Sequence, residues 1–437
     1  MQSNLKSKKQ DSVLTHEGGI AKRISPIQEL RRTVMACLLW EQSFYESGET
    51  VSQRIRDLCD KVSLKQISAI AIEARISMHL RHVPLLLVRE MARRGKDSII
   101  SETLFKVIDR PDELSEFLAI YWREGRCPLS AQVKKGLARA FTKFSAYGLA
   151  KYNRGKAIKL RDVLFLCHAK PITKEQEKDW KNLIEGTLET PDTWEVNLSA
   201  GKDKKETFTR LLKENKLGAL ALLRNLRNME ESGVDRQLVR KKILTANYSK
   251  VLPFRFIAAA RAVPIYEDVL EDVLFSLLDD YPLLEGKTAI LVDNSGSMTD
   301  PLSSRSDMNR MDAAGGLALI LKQLCEECSI ISFGNVPVEV SPRKGFPLLE
   351  VIQRASTGGG TEIGKAVKFA NEKGYDRIIV ITDEQSKDNM VSPLEESKAY
   401  MINVGTYKNG VGYGIWTHID GFSENVIRYI LESEKER

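Results

Sequence analysis

The 437-residue sequence is poor in cysteine and histidine, with six and five of each. The cysteines (Cys37, Cys59, Cys127, Cys167, Cys325, Cys328) are scattered, which fits reduced, buried thiols rather than a disulfide framework. Cys325 and Cys328 form a C-x-x-C. With no second pair and no thioredoxin-like setting, a zinc or redox role is disfavoured and core packing is expected. No apolar run approaches the roughly 20 residues needed to span a bilayer. The N-terminal "MQSNLKSKKQDSV" lacks the apolar stretch of a signal peptide. A cytoplasmic protein with no membrane partner is therefore expected. Hydrophobic and charged contents of 42% and 29% are those of an ordinary globular protein, and the length calls for two or more domains.

What is present is unevenly distributed. The formal charge is +7. From Gly286 onward there are 17 Lys and Arg against 21 Asp and Glu, a net −4, and the preceding residues carry 49 against 38, a net +11. The basic excess lies wholly in the first part, which favours a polyanionic partner there.

The hydrophobic pattern divides the chain in the same place. Residues 1–22 are polar and lysine-bearing without periodicity, and are expected to form a flexible basic arm. From Pro26 to Leu284 apolar residues recur at helical spacing, as in "IQELRRTVMACLLWEQSFY", "LKQISAIAIEARI", "SAQVKKGLARAFTKF" and "LGALALLRNLRNMEE". So many short helices with tight connections suit helix pairs stacked into a solenoid over residues 23–285; a globular all-α domain is the alternative. From Lys287 short apolar runs ("TAILVDN", "CSIISFG", "RIIVITDE", "AYMINVGTY") alternate with helical segments ("MDAAGGLALILKQLCEE", "IGKAVKFANEKG", "ENVIRYILESE"). This predicts a doubly wound α/β domain over 286–437, with its ligand site at the C-terminal ends of the strands.

The strand Thr288–Val292 delivers Asp293 to that edge, followed by Ser295 and Ser297 at alternate loop positions. Thr361 follows "STGGG", and Asp383 ends the strand "RIIVIT". Five side-chain oxygens from three loops, without nitrogen or sulfur, suit a hard cation: Mg²⁺, or Mn²⁺ in the same geometry. The serine hydroxyls would bind directly, Thr361 directly or through water, and the two aspartates would hold coordinated waters and balance the charge. "GGTEIGKA" nearly spells a phosphate-binding loop, but Ala366 stands where a hydroxyl is needed and a helix precedes it. No histidine accompanies the metal loops as a base, so catalysis is not expected.

In the basic part, "KKGLARAFTKFSAYGLAKYNRGKAIKLRDVLFLCHAKP" (134–171) concentrates cations and aromatics. Lys135, Arg139 and Lys143 recur at helical spacing, followed by Lys151, Tyr152 and Arg154, then Lys156, Lys159 and Arg161, then His168 and Lys170. Cations for phosphates with aromatics for stacking are what single-stranded or irregular RNA requires. A solvated helix face is the competing reading.

Two resemblances attach to these residues. Asp293, Ser295, Ser297, Thr361 and Asp383 resemble the metal-ion-dependent adhesion site (MIDAS) of von Willebrand factor type A domains. "KKGLARAF", "LAKYN", "LRDVLFLCHAKP", "ALLRNLRNM" and "LPFRFIAAAR" resemble the TROVE module of the Ro autoantigen ribonucleoprotein family. The resemblance implies a ring of HEAT-like helical repeats joined to a von Willebrand A domain. It also implies binding of small noncoding Y-like RNA on the outer surface and of single-stranded 3′ ends of misfolded RNA in the central hole. In bacterial members, exoribonucleases are partners in RNA quality control; a monomer is expected. Lys151, Tyr152 and His168 match the Y RNA surface, and Arg154 stands one residue before the family's cation position, here Gly155. Arg81, His82, Arg224, Asn225, Arg227, Arg255 and Arg261 are the inner-rim candidates. A metal-dependent protein-binding adaptor with a helical scaffold is the alternative.

Overall fold

The helices between Pro26 and Ser276 are punctuated by side chains that satisfy their free N-terminal N–H groups. Ser25 with Gln28 and Ser63 with Gln66 form capping boxes at the helices Pro26–Met35 and Leu64–Ile76. Ser47, Asp97, Ser130, Thr173, Thr193, Asp203 and Asp235 cap others. In the computed structural model, which describes residues 13–37, 46–153, 157–249, 251–279, 281–301, 308–423 and 425–435, each helix packs on neighbours one to three places away in the chain. That locality gives a one-dimensional helical array. The stretch expected as one helix at 217–231 is interrupted: Ala219–Arg224 and Leu226–Glu231 meet at Asn225, whose buried amide donates to the Ala221 carbonyl at 2.8 Å.

The remainder is an α/β domain. Its six-stranded sheet has the order β5-β4-β3-β6-β7-β8; β1 (Val13–Leu14) and β2 (Ile20–Ala21) form a separate hairpin. The six strands are β3 (Leu284–Asp293), β4 (Cys325–Phe333), β5 (Pro337–Glu339), β6 (Arg377–Thr382), β7 (Lys398–Asn403) and β8 (Thr417–Asp420). All neighbours are parallel except β5, an antiparallel edge that the sequence pattern does not announce. Cys325, expected at a helix end, begins β4 because the helix Arg310–Leu324 stops one residue earlier. Alternate residues of β3 serve two cores. Ala289 and Leu291 pack towards the helix Ile363–Lys373, whereas Ile290 and Val292 join a core continuous with the helical array.

Both ends of the array dock on the α/β domain. At the first end, the helix Pro26–Met35 packs on β8, and the Ser423 hydroxyl and Asn425 amide donate to the Ser77 carbonyl at 2.9 and 2.7 Å. At the last end, the helix Phe254–Ala262 packs on Arg310–Leu324, where a Cβ on Gly316 would stand 3.2 Å from Ile257. Phe254 and Phe422 meet with ring centroids 5.8 Å apart. The first and last helices of the array thus both contact the α/β domain.

The flexible-arm expectation is corrected for Val13–Ala21. These residues form the β1–β2 hairpin, in which the Thr15 hydroxyl, buried against the α/β domain, donates to the Ser386 carbonyl at 2.6 Å. The reason is backbone pairing: the hairpin supplies N–H and hydroxyl donors to a loop carbonyl that would otherwise be buried without partners.

Candidate functional site

Strand register brings the metal-site residues together. Val292 pairs with Ile381, so Asp293 ends β3 level with Thr382, and Asp383 follows directly. This is where the chain crosses from the β4 side of β3 to the β6 side, the switch point at which α/β sheets bind ligands. The third loop is drawn in by backbone bonds: Gly296 N–H donates to Gly359 O at 3.2 Å, and Lys387 N–H to Thr361 O at 2.8 Å. Gly358 (φ +75°) and Gly360 let that loop lie against Asn335; a Cβ on either would sit 2.6 or 2.3 Å from its side chain.

All five predicted oxygens are buried: Asp293 and Asp383 are 0% exposed, and Ser295, Ser297 and Thr361 are 2% exposed. Asp293 accepts from Ser295 N–H at 2.9 Å and from the Thr382 hydroxyl. The Ser295 and Ser297 hydroxyl oxygens lie 3.3 Å apart. Asp383 Oδ1 accepts from Gln385 N–H at 3.2 Å. Among the described residues its buried Oδ2 has no hydrogen-bond partner within bonding geometry, and the Arg310 guanidinium is 3.9 Å away, beyond hydrogen-bonding distance. Burial and the Asp383 charge push the Asp293 carboxyl up. Burial also raises Asp383, against the opposing charge of Arg310. Two fully buried carboxylates with one orphaned oxygen are what a divalent cation would offset. Among the described residues no grouping of three or more His, Cys, Asp or Glu could hold a metal; the candidate donors here are two carboxylates and three hydroxyls. The donor set therefore fits a hard cation through hydroxyls, carboxylates and water.

His418, left unplaced by the sequence, lies close to this site. Its Nε2 meets Glu384 Oε1 at 2.5 Å and its ring stacks on Tyr413 with centroids 3.9 Å apart. Desolvation lowers its pKa, but the charges of Glu384 and Asp420 outweigh that and raise it. Held between Glu384 and Asp420, whose carboxylate lies 3.6 Å from Nδ1, the imidazole ties β8 to the loop that follows Asp383.

The basic candidates separate sharply on packing. Lys135 and Arg139 share the exposed face of Ala131–Phe141, with the Arg139 guanidinium 4.6 Å from the Phe105 ring centroid. Lys143, assigned to that face from spacing, instead donates to the Ile108 carbonyl at 2.8 Å and to the Phe105 carbonyl, closing a neighbouring helix. Tyr152 lies beneath Arg110 at 4.8 Å, with Lys151 at 5.7 Å. His168 occupies a left-handed C-cap (φ 52°) that presents it to solvent, with Lys170 exposed beyond. Arg154 and Lys156 lie outside the described residues. The sequence reading missed Phe165 and Tyr147, which are 58% and 49% exposed among these cations. The available signal for Phe165 was its place off the apolar stripe formed by Leu160, Val163, Leu164 and Cys167.

Among the inner-rim candidates, Arg81 bonds Glu116 at 2.7 Å and also Asp112, and His82 Nε2 lies 3.4 Å from Glu116. Arg261 bonds Asp312 at 2.5 Å, tying the last array helices to the α/β domain. As placed, these three side chains face carboxylates on neighbouring helices, contacts that sequence spacing cannot reveal. Asn225 serves the helix break. Arg224, Arg227 and Arg255 have no carboxylate partner among the described residues. Burial and the charge of Arg224 both lower the Arg255 pKa, and its guanidinium lies 4.9 Å from the Phe254 ring centroid.

The fold and the site define a class: a helical array joined to a von Willebrand A-type domain with hydroxyl-rich loops at its strand ends. Comparison with known families agrees. Residues 185–274 match the TROVE domain and residues 288–385 the von Willebrand factor type A domain. The chain is similar throughout to the crystal structure of the Ro (RSR) protein of Deinococcus radiodurans. That match has 17% identity and a TM-score of 0.60, and covers 94% of this chain and 100% of that one. No curated protein sequence matched. The chain thus carries a TROVE domain followed by a von Willebrand A domain, the order and fold that the sequence resemblance implied. No helix among the described residues is long and apolar enough to cross a membrane.

Proposed function

We propose that this is a noncatalytic, cytoplasmic RNA-binding protein of the Ro type. Its array takes a small noncoding Y-like RNA along the surface bearing Lys135, Arg139, Lys151, Tyr152, His168 and Lys170. Single-stranded 3′ ends of misfolded RNA are held at Arg224, Arg227 and Arg255, and an exoribonuclease partner would act on RNA so held, in quality control or decay. The monomer is the binding unit. The observation that carries this reading is the Arg224–Arg255 pair. Two guanidiniums within electrostatic reach, one half-buried, have no carboxylate partner among the described residues, an arrangement that an anion such as a backbone phosphate would offset.

Asp293, Ser295, Ser297, Thr361 and Asp383 would hold Mg²⁺ or Mn²⁺. When bound, the ion supplies positive charge and an open coordination position for an acidic group. Thr382 and the Ser295 amide orient Asp293, and Gln385 orients Asp383.

The test is binding of a 3′-overhang RNA by full-length protein across a salt series. Arg224→Ala with Arg255→Ala should weaken binding at least tenfold and reduce the log–log salt slope by roughly 0.7 for each phosphate no longer neutralised. Unchanged affinity and slope, with RNA bound only weakly by the wild type, would favour the protein-binding adaptor.

A further inference from the structure

The loop that carries Asp383 is gripped by residues from the other end of the chain. Glu384, immediately after Asp383, is fully buried and adopts φ +60°, a conformation that a non-glycine residue holds only when its surroundings enforce it. Arg32, on the helix Pro26–Met35, supplies much of that enforcement. Its guanidinium bonds Glu384 Oε2 at 2.6 Å and donates to the carbonyls of Tyr407 at 2.7 Å and Asp383 at 3.2 Å. The hairpin before it holds the next residues. The Thr15 hydroxyl and Gly19 N–H both donate to the Ser386 carbonyl, at 2.6 and 3.1 Å. His16 N–H donates to Gln385 Oε1 at 2.9 Å, and the Asn409 amide donates to the Leu14 carbonyl at 2.8 Å. The fit at Gly19 is close: a Cβ there would stand 2.1 Å from the Ser386 carbonyl oxygen.

The same loop also holds Thr361 on the neighbouring loop, because Lys387 N–H and the Ser386 hydroxyl donate to the Thr361 carbonyl at 2.8 and 3.4 Å. Pinning 383–387 therefore fixes the backbone of two of the five metal-site residues.

We propose that residues 15–32 form a latch that couples metal binding to closure of the helical array. Docking of the hairpin and Arg32 pre-organises Asp383 and Thr361 for the cation, which raises affinity by removing an ordering cost. Linkage makes the effect reciprocal: the bound cation holds the latch, and with it the first helix of the array, against the α/β domain. Arg32, Thr15 and Gly19 are positioning residues that act through the loop. The inference rests on the metal-site reading given above.

The experiment uses the full chain. Mn²⁺ affinity is measured by electron paramagnetic resonance or calorimetry for wild type, Gly19→Val, Thr15→Val and, as the metal-site control, Asp293→Ala. Amide hydrogen exchange over residues 13–32 is followed with and without Mg²⁺. Gly19→Val should weaken Mn²⁺ binding about tenfold, within the usual range of coupling between sites. Thr15→Val, which keeps shape and removes one donor, should weaken it less and guards against misfolding of the bulkier variant. In the wild type, Mg²⁺ should slow exchange over 13–32. Mn²⁺ uptake that is lost in Asp293→Ala but unchanged in both hairpin variants, with exchange over 13–32 indifferent to Mg²⁺, overturns the latch and leaves the metal site standing. A wild type that takes up no Mn²⁺ overturns both.

Discussion

The two halves of the molecule handle charge in opposite ways. In the α/β domain the decisive polar groups are buried and fixed by register. Asp293, Asp383, Glu384 and Arg377 are at most 2% exposed, and the carboxylate of Glu384 and the guanidinium of Arg377 have charged partners at 2.6 Å. In the helical array most of the candidate RNA-binding cations are exposed, and they differ in whether a neighbouring helix presents a carboxylate. A buried polar group has to be satisfied or it destabilises the fold, so its partners can be read from geometry. An exposed arginine carries no such obligation, and its role emerges only when packing is known.

The largest test of this contrast is Arg32→Met. It leaves the fully buried Glu384 without its guanidinium partner. Loss of one member of a buried ion pair costs about 3–5 kcal/mol, read as a lowered urea midpoint of the full chain. Pairing it with Glu384→Met should recover part of the loss, since an apolar pair can replace a buried ion pair. A loss below about 1 kcal/mol would show that the α/β side is no more demanding than the exposed array.

The same contrast explains what was legible in the sequence. Asp293, Ser295 and Ser297 could be placed at one site because a buried strand fixes where its end must lie, and β6 fixes Asp383 in the same way. The order of helices and strands followed from periodicity. The short edge strand β5 escaped because Pro337–Glu339 is three residues long and carries no periodic signal of its own. The hairpin over 13–21 escaped because a polar, lysine-flanked segment reads as solvated until the loop that accepts its hydrogen bonds is in view. Arg81 and Arg261 were placed on the inner rim by the family resemblance, and Lys143 on the RNA-facing surface by helical spacing. Their partners Asp112, Asp312 and the Ile108 carbonyl lie 31, 51 and 35 residues away in the chain, distances over which helical spacing is silent.

A smaller effect, with a pH signature, compares a partly buried carboxylate with a more exposed one. Burial pushes the Glu434 carboxyl up, but the Arg377 and Lys398 charges outweigh it and hold it below the ordinary value. A carboxyl lowered on folding contributes stability above its unfolded value of about 4.3, and that contribution is lost as pH falls through the folded value. Glu434→Gln should therefore cost about 1–2 kcal/mol at pH 7, with the gap from wild type narrowing in urea melts below about pH 4. Asp192, paired with Arg210 at 2.6 Å in the array but with both side chains a third or more exposed, should cost less than about 1 kcal/mol as Asp192→Asn. Equal costs for the two would break the comparison.

The smallest effects sharpen it most, because they run in opposite directions on two readouts. Arg81 is tied to Asp112, Glu113 and Glu116, whereas Lys135 is exposed without a carboxylate partner among the described residues. Arg81→Ala should lower the melting temperature while leaving the salt dependence of RNA binding unchanged. Lys135→Ala should leave stability within about 0.5 kcal/mol of wild type, yet reduce the log–log salt slope by roughly 0.7–0.9, the signature of one neutralised phosphate. The reverse pattern, with Arg81 governing RNA affinity and Lys135 silent, would place the RNA on the inner rim despite the carboxylates there. The array's exposed cations would then be no more than a solvated face.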